Sequence, residues 1–227
     1  MPIHLHRDLE NLQRKILAMA ANVEETVEKA IRALYDRDMA LAAALTEGDQ
    51  EIDREENEIE EDCLKILALH QPVAMDLRRV AASLKINTDL ERMGDLAVNI
   101  AERAYSYARL AHQVPIPPAL RNMADLTTTM VRQSLDSFVR LDSALARRIC
   151  RLDDEVDRHN REIALHLIRL MKESPDNVES GLDLFSVVRQ LERIADHATN
   201  IAEDVVYLVE GEIVRHHPEL LREGAGG

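Results

Sequence analysis

The chain has 227 residues and a formal charge of −14; it is 46% apolar but only 3% aromatic, with no Trp. That balance excludes a nucleic-acid binder, which needs clustered Lys and Arg, and calls for an aliphatic core of Leu, Ile, Val, Ala and Met, suited to helix packing. No apolar run approaches the ~20 residues that span a bilayer, and Arg7, Asp8 and Glu10 interrupt any signal-peptide-like start; the expectation is a soluble, cytoplasmic protein without direct membrane insertion.

In chain order, Met1 to His6 reads as a loose start. A first helix opens near Asp8, carrying Leu9, Leu12, Ile16, Met19, Val23, Val27, Ala30, Ile31 and Leu34 at three- and four-residue spacing, and stops around residues 35–37. Asp38 is placed to cap a second helix that runs to about Leu69, with Gly48 inside it. Gln71-Pro72 ends that helix, and Pro72 can open a third, to about Leu110. Val114-Pro-Ile-Pro-Pro118 is the clearest break. A fourth helix spans about Pro118 to Val139. A fifth starts at Asp142 or Ser143 and reaches Lys172, and a sixth begins at Pro175 or Asp176 and reaches Val209. Gly224 to Gly227 is expected to be a disordered tail. No segment alternates like a strand. The reading is all-α: two tandem antiparallel three-helix bundles, residues 1–113 and 119–227, joined by a Pro-rich linker at 114–118.

A repeat supports the division. Leu-Glu-Arg-Met-Gly-Asp-Leu-Ala-Val-Asn-Ile-Ala-Glu (90–102) returns as Leu-Glu-Arg-Ile-Ala-Asp-His-Ala-Thr-Asn-Ile-Ala-Glu (191–203), at an offset of 101 residues. Glu91, Asp95, Asn99 and Glu102, and likewise Glu192, Asp196, Asn200 and Glu203, fall on one helical stripe. The preceding helix of each unit carries its own stripe, Asp49-Gln-Glu-Ile-Asp53-Arg and Asp153-Asp-Glu-Val-Asp157-Arg. Asp53 lies 18 residues before Gln71 and Asp95 24 after it; Asp157 lies 18 before Pro175 and Asp196 21 after it. The paired stripes can therefore lie at similar levels of facing helices.

Four carboxylates brought together repel and call for protons or cations. Their oxygens suit magnesium, manganese, calcium or iron. The competing reading is a solvated acidic face balanced by Arg54, Arg92, Arg158 and Arg193. Asn99 and Asn200 read as helix contacts or supporting groups rather than ligands. His197 has Leu96 as its counterpart and so belongs to no repeated ligand set; His159 and His166 read as surface residues. Cys63 and Cys150 read as buried free thiols. Ferritin-like diiron sites use Glu-x-x-His, which does not occur in this chain, and there is no Gly-rich phosphate loop, zincin motif or readable nucleophile. No catalytic residue is assigned.

Asp49-x-x-Ile-Asp-Arg54, Gln71-Pro-Val-Ala-x-Asp-Leu-Arg78 and the Leu90–Glu102 signature together resemble the PhoU family of phosphate-specific transport system accessory proteins, over essentially the whole chain. The resemblance implies two three-helix PhoU domains with pseudo-twofold symmetry, and a homodimer. It implies a non-enzymatic negative regulator of phosphate uptake and phosphate-starvation signalling. Such a regulator acts as an adaptor between a phosphate ABC transporter and a sensor histidine kinase, and is held at the inner face of the membrane only through partners. It further implies metal binding, with iron or zinc clusters known in the family and manganese or magnesium also suited, at Asp49, Asp53, Glu91, Asp95, Asp153, Asp157, Glu192 and Asp196. Two departures stand out: Gly94 is matched by Ala195, and Asp76-Leu-Arg78 has no counterpart around Asn177 to Glu179. The alternatives are a carboxylate-bridged metal-storage protein or metal-dependent helical-bundle enzyme, and a transporter chaperone without a signalling role.

Overall fold

A computed structural model describes residues 3–47, 50–212 and 214. Its helices are α1 (Ile3–Asp36), α2 (Met39–Glu47), α3 (Gln50–His70), α4 (Ala74–Arg109), α5 (Pro118–Arg140), α6 (Ser143–Glu173) and α7 (Val178–Glu210), with a short 3-10 turn at Pro175–Asn177 before α7. Among the described residues there is no strand. Among the described residues no helix is long and apolar enough to cross a membrane.

The element boundaries follow local chemistry. Helix α1 begins at Ile3, earlier than the charged residues around Asp8 suggest, because Leu5 extends the buried stripe of Leu9, Leu12 and Ile16 by one more turn. Asp38 Oδ1 accepts the Leu41 N–H at 2.9 Å, the cap expected there. The expected second helix is described as α2 and α3; Gly48 and Asp49 between them lie outside the described residues. Helix α4 starts at Ala74 rather than Pro72, since Val73 is extended (φ −125°, ψ 160°). Pro118 opens α5, where its missing N–H costs nothing. Asp142 caps α6 by accepting from Leu145 N–H at 2.9 Å. Arg37, Gln71 and Leu141 take the left-handed conformation that closes helices α1, α3 and α5. The tail at 224–227 lies outside the described residues.

The fold is the duplicated three-helix arrangement, with α2–α3 counted as one arm. Helices α4 and α7 form the central pair, packing on each other and on the helices of their own repeats. They run antiparallel. Lys85 pairs with Asp204 at 2.7 Å and Asp89 with His197 at 2.7 Å, whereas Arg103, further along α4, meets Asp183, further back along α7, at 3.8 Å. Between these polar contacts Leu90, Met93, Ile100, Leu191, Ile194 and Ile201 are fully buried, so the signature stretches also supply the aliphatic core.

The Pro-rich segment is tied down. Tyr107, fully buried, donates its hydroxyl to the Val114 carbonyl at 2.7 Å, and the Val114 N–H donates to Ser180 Oγ at 3.1 Å. Each buried donor thereby finds its own acceptor, and the segment is held by Tyr107 of the first repeat and Ser180 of the second.

Candidate metal centres

In the second repeat, the facing helices α6 and α7 bring Asp153 and Asp157 to the neighbourhood of Glu192 and Asp196. Burial pushes the Asp153 carboxyl up to about 6, and the negative charges of Asp196, Asp157, Asp154 and Glu192 add to the rise. Asp196 is also raised, first by desolvation and then by Glu192, with His197 and Arg189 pulling the other way. Glu192 Oε1 accepts from Arg189 at 2.8 Å and from Asn160 at 3.2 Å, while its Oε2 is buried without a hydrogen-bond partner among the described residues. An acceptor left dry in this way is costly until a proton, water or cation reaches it. Cys150, partly buried, borders the same group: burial and then Glu203 and Asp153 raise its thiol to about 12, so it stays protonated.

The first repeat repeats the theme with different charges. Glu91 on α4 is raised by burial and then by Asp95, with Glu56 and Asp53 of α3 contributing from across the helix pair. Glu56 is raised by burial, Glu60 and Asp53. Arg92 answers both, contacting Glu91 and Asp95 at 3.3 Å. Asp49 lies outside the described residues. Asn87 on α4 donates to the Glu56 carbonyl at 2.9 Å, fixing α3 against α4 at this level.

The structure thus brings Asp53, Glu91 and Asp95 together, and Asp153, Asp157, Glu192 and Asp196 together. Among the described residues, however, no three His, Cys, Asp or Glu side chains are drawn close enough to hold one ion as they stand. Asn200 fills the expected helix-contact role, donating to Asp89 at 3.3 Å, and His197 is engaged by Asp89 rather than by the cluster. His159 departs from expectation: it is buried, with Nδ1 lacking a partner among the described residues, because it follows Val156 and precedes Ile163 on the inner face of α6. Two cluster members escape a search for repeats. Glu56 is matched by Asn160 at the offset of 104 that relates the α3 and α6 stripes, and Cys150 carries no charge. The i,i+3 spacing from Asp53 was the signal available for Glu56.

The close packing beneath each cluster explains one departure between the repeats. A Cβ on Gly94 would lie 2.9 Å from Ile52 Cδ1 and 3.3 Å from its Cγ2. In the second repeat Val156 stands where Ile52 does and lacks that terminal methyl, which leaves room for Ala195.

A PhoU domain model matches residues 16–104 and again 120–205. The chain belongs to the PhoU family. A phosphate-specific transport system accessory protein PhoU homolog from Aquifex aeolicus is 41% identical, over 93% of this chain and 96% of that one. The crystal structure of PhoU from Pseudomonas aeruginosa superposes with a TM-score of 0.88 at 38% identity, covering 91% of this chain and 99% of that one. The phosphate transport system regulatory protein PhoU from Streptococcus pneumoniae gives 0.87 at 30% identity, over 92% and 99%. PhoU membership therefore rests on both repeats and on the whole architecture.

Proposed function

We propose that this PhoU-family chain is a non-enzymatic, cytoplasmic accessory and regulator of phosphate transport. In this reading it restrains phosphate uptake and phosphate-starvation signalling when phosphate is plentiful, as an adaptor between a phosphate ABC transporter and a sensor histidine kinase. The carrying observation is the family match across both repeats, with relatives that bear transport-accessory and regulatory names. An adaptor also needs a surface to offer. The α3–α4 turn presents Leu69, Val73, Met75 and Leu77 to solvent, beside Arg78 and Arg79. Its Ala74 is held at φ 49°, a left-handed strain that a non-Gly residue adopts at a cost of ~1 kcal/mol or more. We assign this turn to contact with the transporter.

The paired carboxylates are proposed to hold iron, zinc, manganese or magnesium. Asp49, Asp53, Glu91 and Asp95 would serve the first site, and Asp153, Asp157, Glu192 and Asp196 the second. The donor set fits: all are hard oxygen ligands, the buried Glu192 Oε2 lacks a partner among the described residues, and Asp153 is raised by burial and then by its neighbours' charges. Bound cations would supply charge neutralisation and fix the second and third helices of each repeat, and no redox step is needed for that role. Glu-x-x-His is missing from the sequence, which favours this reading over a diiron enzyme.

A phosphate-responsive reporter in a deletion strain tests the function. Loss of the chain should derepress the reporter in high phosphate, wild type should restore repression, and Val73→Arg or Leu77→Arg should fail to restore it while circular dichroism stays unchanged. A deletion strain that still shuts the reporter off normally rejects the regulatory role and favours a transporter chaperone.

A further inference from the structure

A cavity of about 470 Å³ lies where α1 of the first repeat meets α5 of the second, and none of its lining residues belongs to the helices that carry the acidic clusters. Glu28, Arg32, Tyr35 and Asp36 line it from α1, and Arg121, Asp125 and Arg132 from α5, so three carboxylates accompany three guanidinium groups. Three guanidinium groups around one cavity are unexpected in a chain of charge −14. Other concavities differ: one beside Asp8 and Asp62 holds a single Lys65 as its cation.

The three arginines are not equivalent. Arg132 is committed, paired with Glu24 and Glu28 of α1, and so fastens the two repeats beside the cavity. Neither Arg32 nor Arg121 has a carboxylate within ion-pair distance among the described residues. Arg121 sits over the Tyr35 ring, 4.1 Å from its centroid, which orients the guanidinium while its N–H groups remain to be used. The Tyr35 hydroxyl is shielded from water and has no hydrogen-bond partner among the described residues, so the ring acts as a platform for Arg121. Burial raises its pKa to about 12, so it remains an O–H donor at any physiological pH.

The two guanidinium groups without a carboxylate partner offer donors only, and the ligand that satisfies them is rich in anionic oxygens. Asp36 and Asp125 oppose a bare inorganic anion but accept from hydroxyl or amino groups. The volume falls within the 300–1,000 Å³ typical of small-molecule sites, more than a single oxyanion fills. We propose that this inter-repeat cleft binds a phosphate monoester with a polar, hydroxyl- or amino-bearing body, a sugar phosphate or nucleoside monophosphate, with the phosphoryl oxygens on Arg32 and Arg121 and the body on Asp36 and Asp125. Because its walls come from both repeats, the ligand bridges them.

The test is calorimetric titration of the full chain in EDTA, which keeps metal at the carboxylate clusters from contributing. The probes are AMP, ribose 5-phosphate, inorganic phosphate and adenosine. At least one of the two esters should bind with heat, inorganic phosphate should bind more weakly, and adenosine should not bind. Arg32→Gln and Arg121→Gln should each weaken the ester by about tenfold or more, the loss of a charge-assisted contact. Both side chains are exposed, so the variants should keep the wild-type dichroism. The proposal is overturned if neither ester binds, if inorganic phosphate binds as tightly as the esters, or if the Gln variants bind like wild type.

Discussion

Asp153→Asn removes one negative charge from the second carboxylate cluster while keeping the side chain's shape. The Asp153 carboxyl titrates near 6 in the folded chain against an ordinary value of 3.8, so ionising it costs the folded state more than the unfolded one. For an acid raised on folding, the penalty is absent below the unfolded value, grows as pH rises between the two and is complete above the folded value. Two pH units correspond to ~3 kcal/mol, an upper bound; coupling among the acids and the partial access of solvent bring the expected gain to ~1–2 kcal/mol. For a chain of this length that is a rise in Tm of ~2–8 °C. Thermal melts of wild type and Asp153→Asn in EDTA should therefore coincide near pH 3 and separate by that amount at pH 7.5, the variant melting higher. Added manganese or zinc should close the gap by raising wild type more than the variant, since a cation offsets the same repulsion. A variant that melts lower than wild type at pH 7.5, or a separation that does not change with pH, would refute the picture of crowded, mutually raised carboxylates.

Two further outcomes follow from the packing, and a third from the family resemblance. Gly94→Ala gains ~1 kcal/mol of helix propensity but overpacks Ile52 by ~1–3 kcal/mol, and Ile52→Val alone costs ~0.5–1.5 kcal/mol. The double variant reproduces the Val156–Ala195 pairing and should be at least ~1 kcal/mol more stable in urea melts than the two single effects summed, whereas additivity within ~0.5 kcal/mol would contradict the compensation. Tyr107→Phe leaves the buried Val114 carbonyl without its donor and should lower stability by ~1–3 kcal/mol by the same melts, with an unchanged urea midpoint arguing that the Pro-rich segment is not held this way. Sedimentation of the purified chain should show the expected homodimer, and a concentration-independent monomer would remove it.

Much of the architecture was legible because helix periodicity and caps speak directly. Leu9 to Leu34 marked the buried face of α1, Asp38 and Asp142 acted as the caps their positions suggested, and Pro118 opened α5. The pairing of the acidic stripes was legible too, since residue counts from the turn set their levels along facing helices, and Asp53 and Glu91 or Asp153 and Asp196 do interact. What escaped was information held by tertiary neighbours. Leu5 drew α1 forward by its burial, and His159 went inward with the apolar face of α6 despite its polarity. Glu56 joined the first cluster without a counterpart in the second repeat. The arginine-lined cleft could not be read at all, because Arg32 and Arg121 are brought together only when α1 and α5 meet across the two repeats.

Metal content of tag-free protein purified without chelator tests the duplicated carboxylate sites most directly. Wild type should carry tightly bound metal. Asp53→Asn/Asp95→Asn and Asp153→Asn/Asp196→Asn should each lower the metal-to-protein ratio by about half if the two sites load equally, and the quadruple variant should fall to background with its helicity intact. A ratio at background in wild type, or one unchanged in the quadruple variant, would contradict the assignment and leave the stripes as solvated acidic faces.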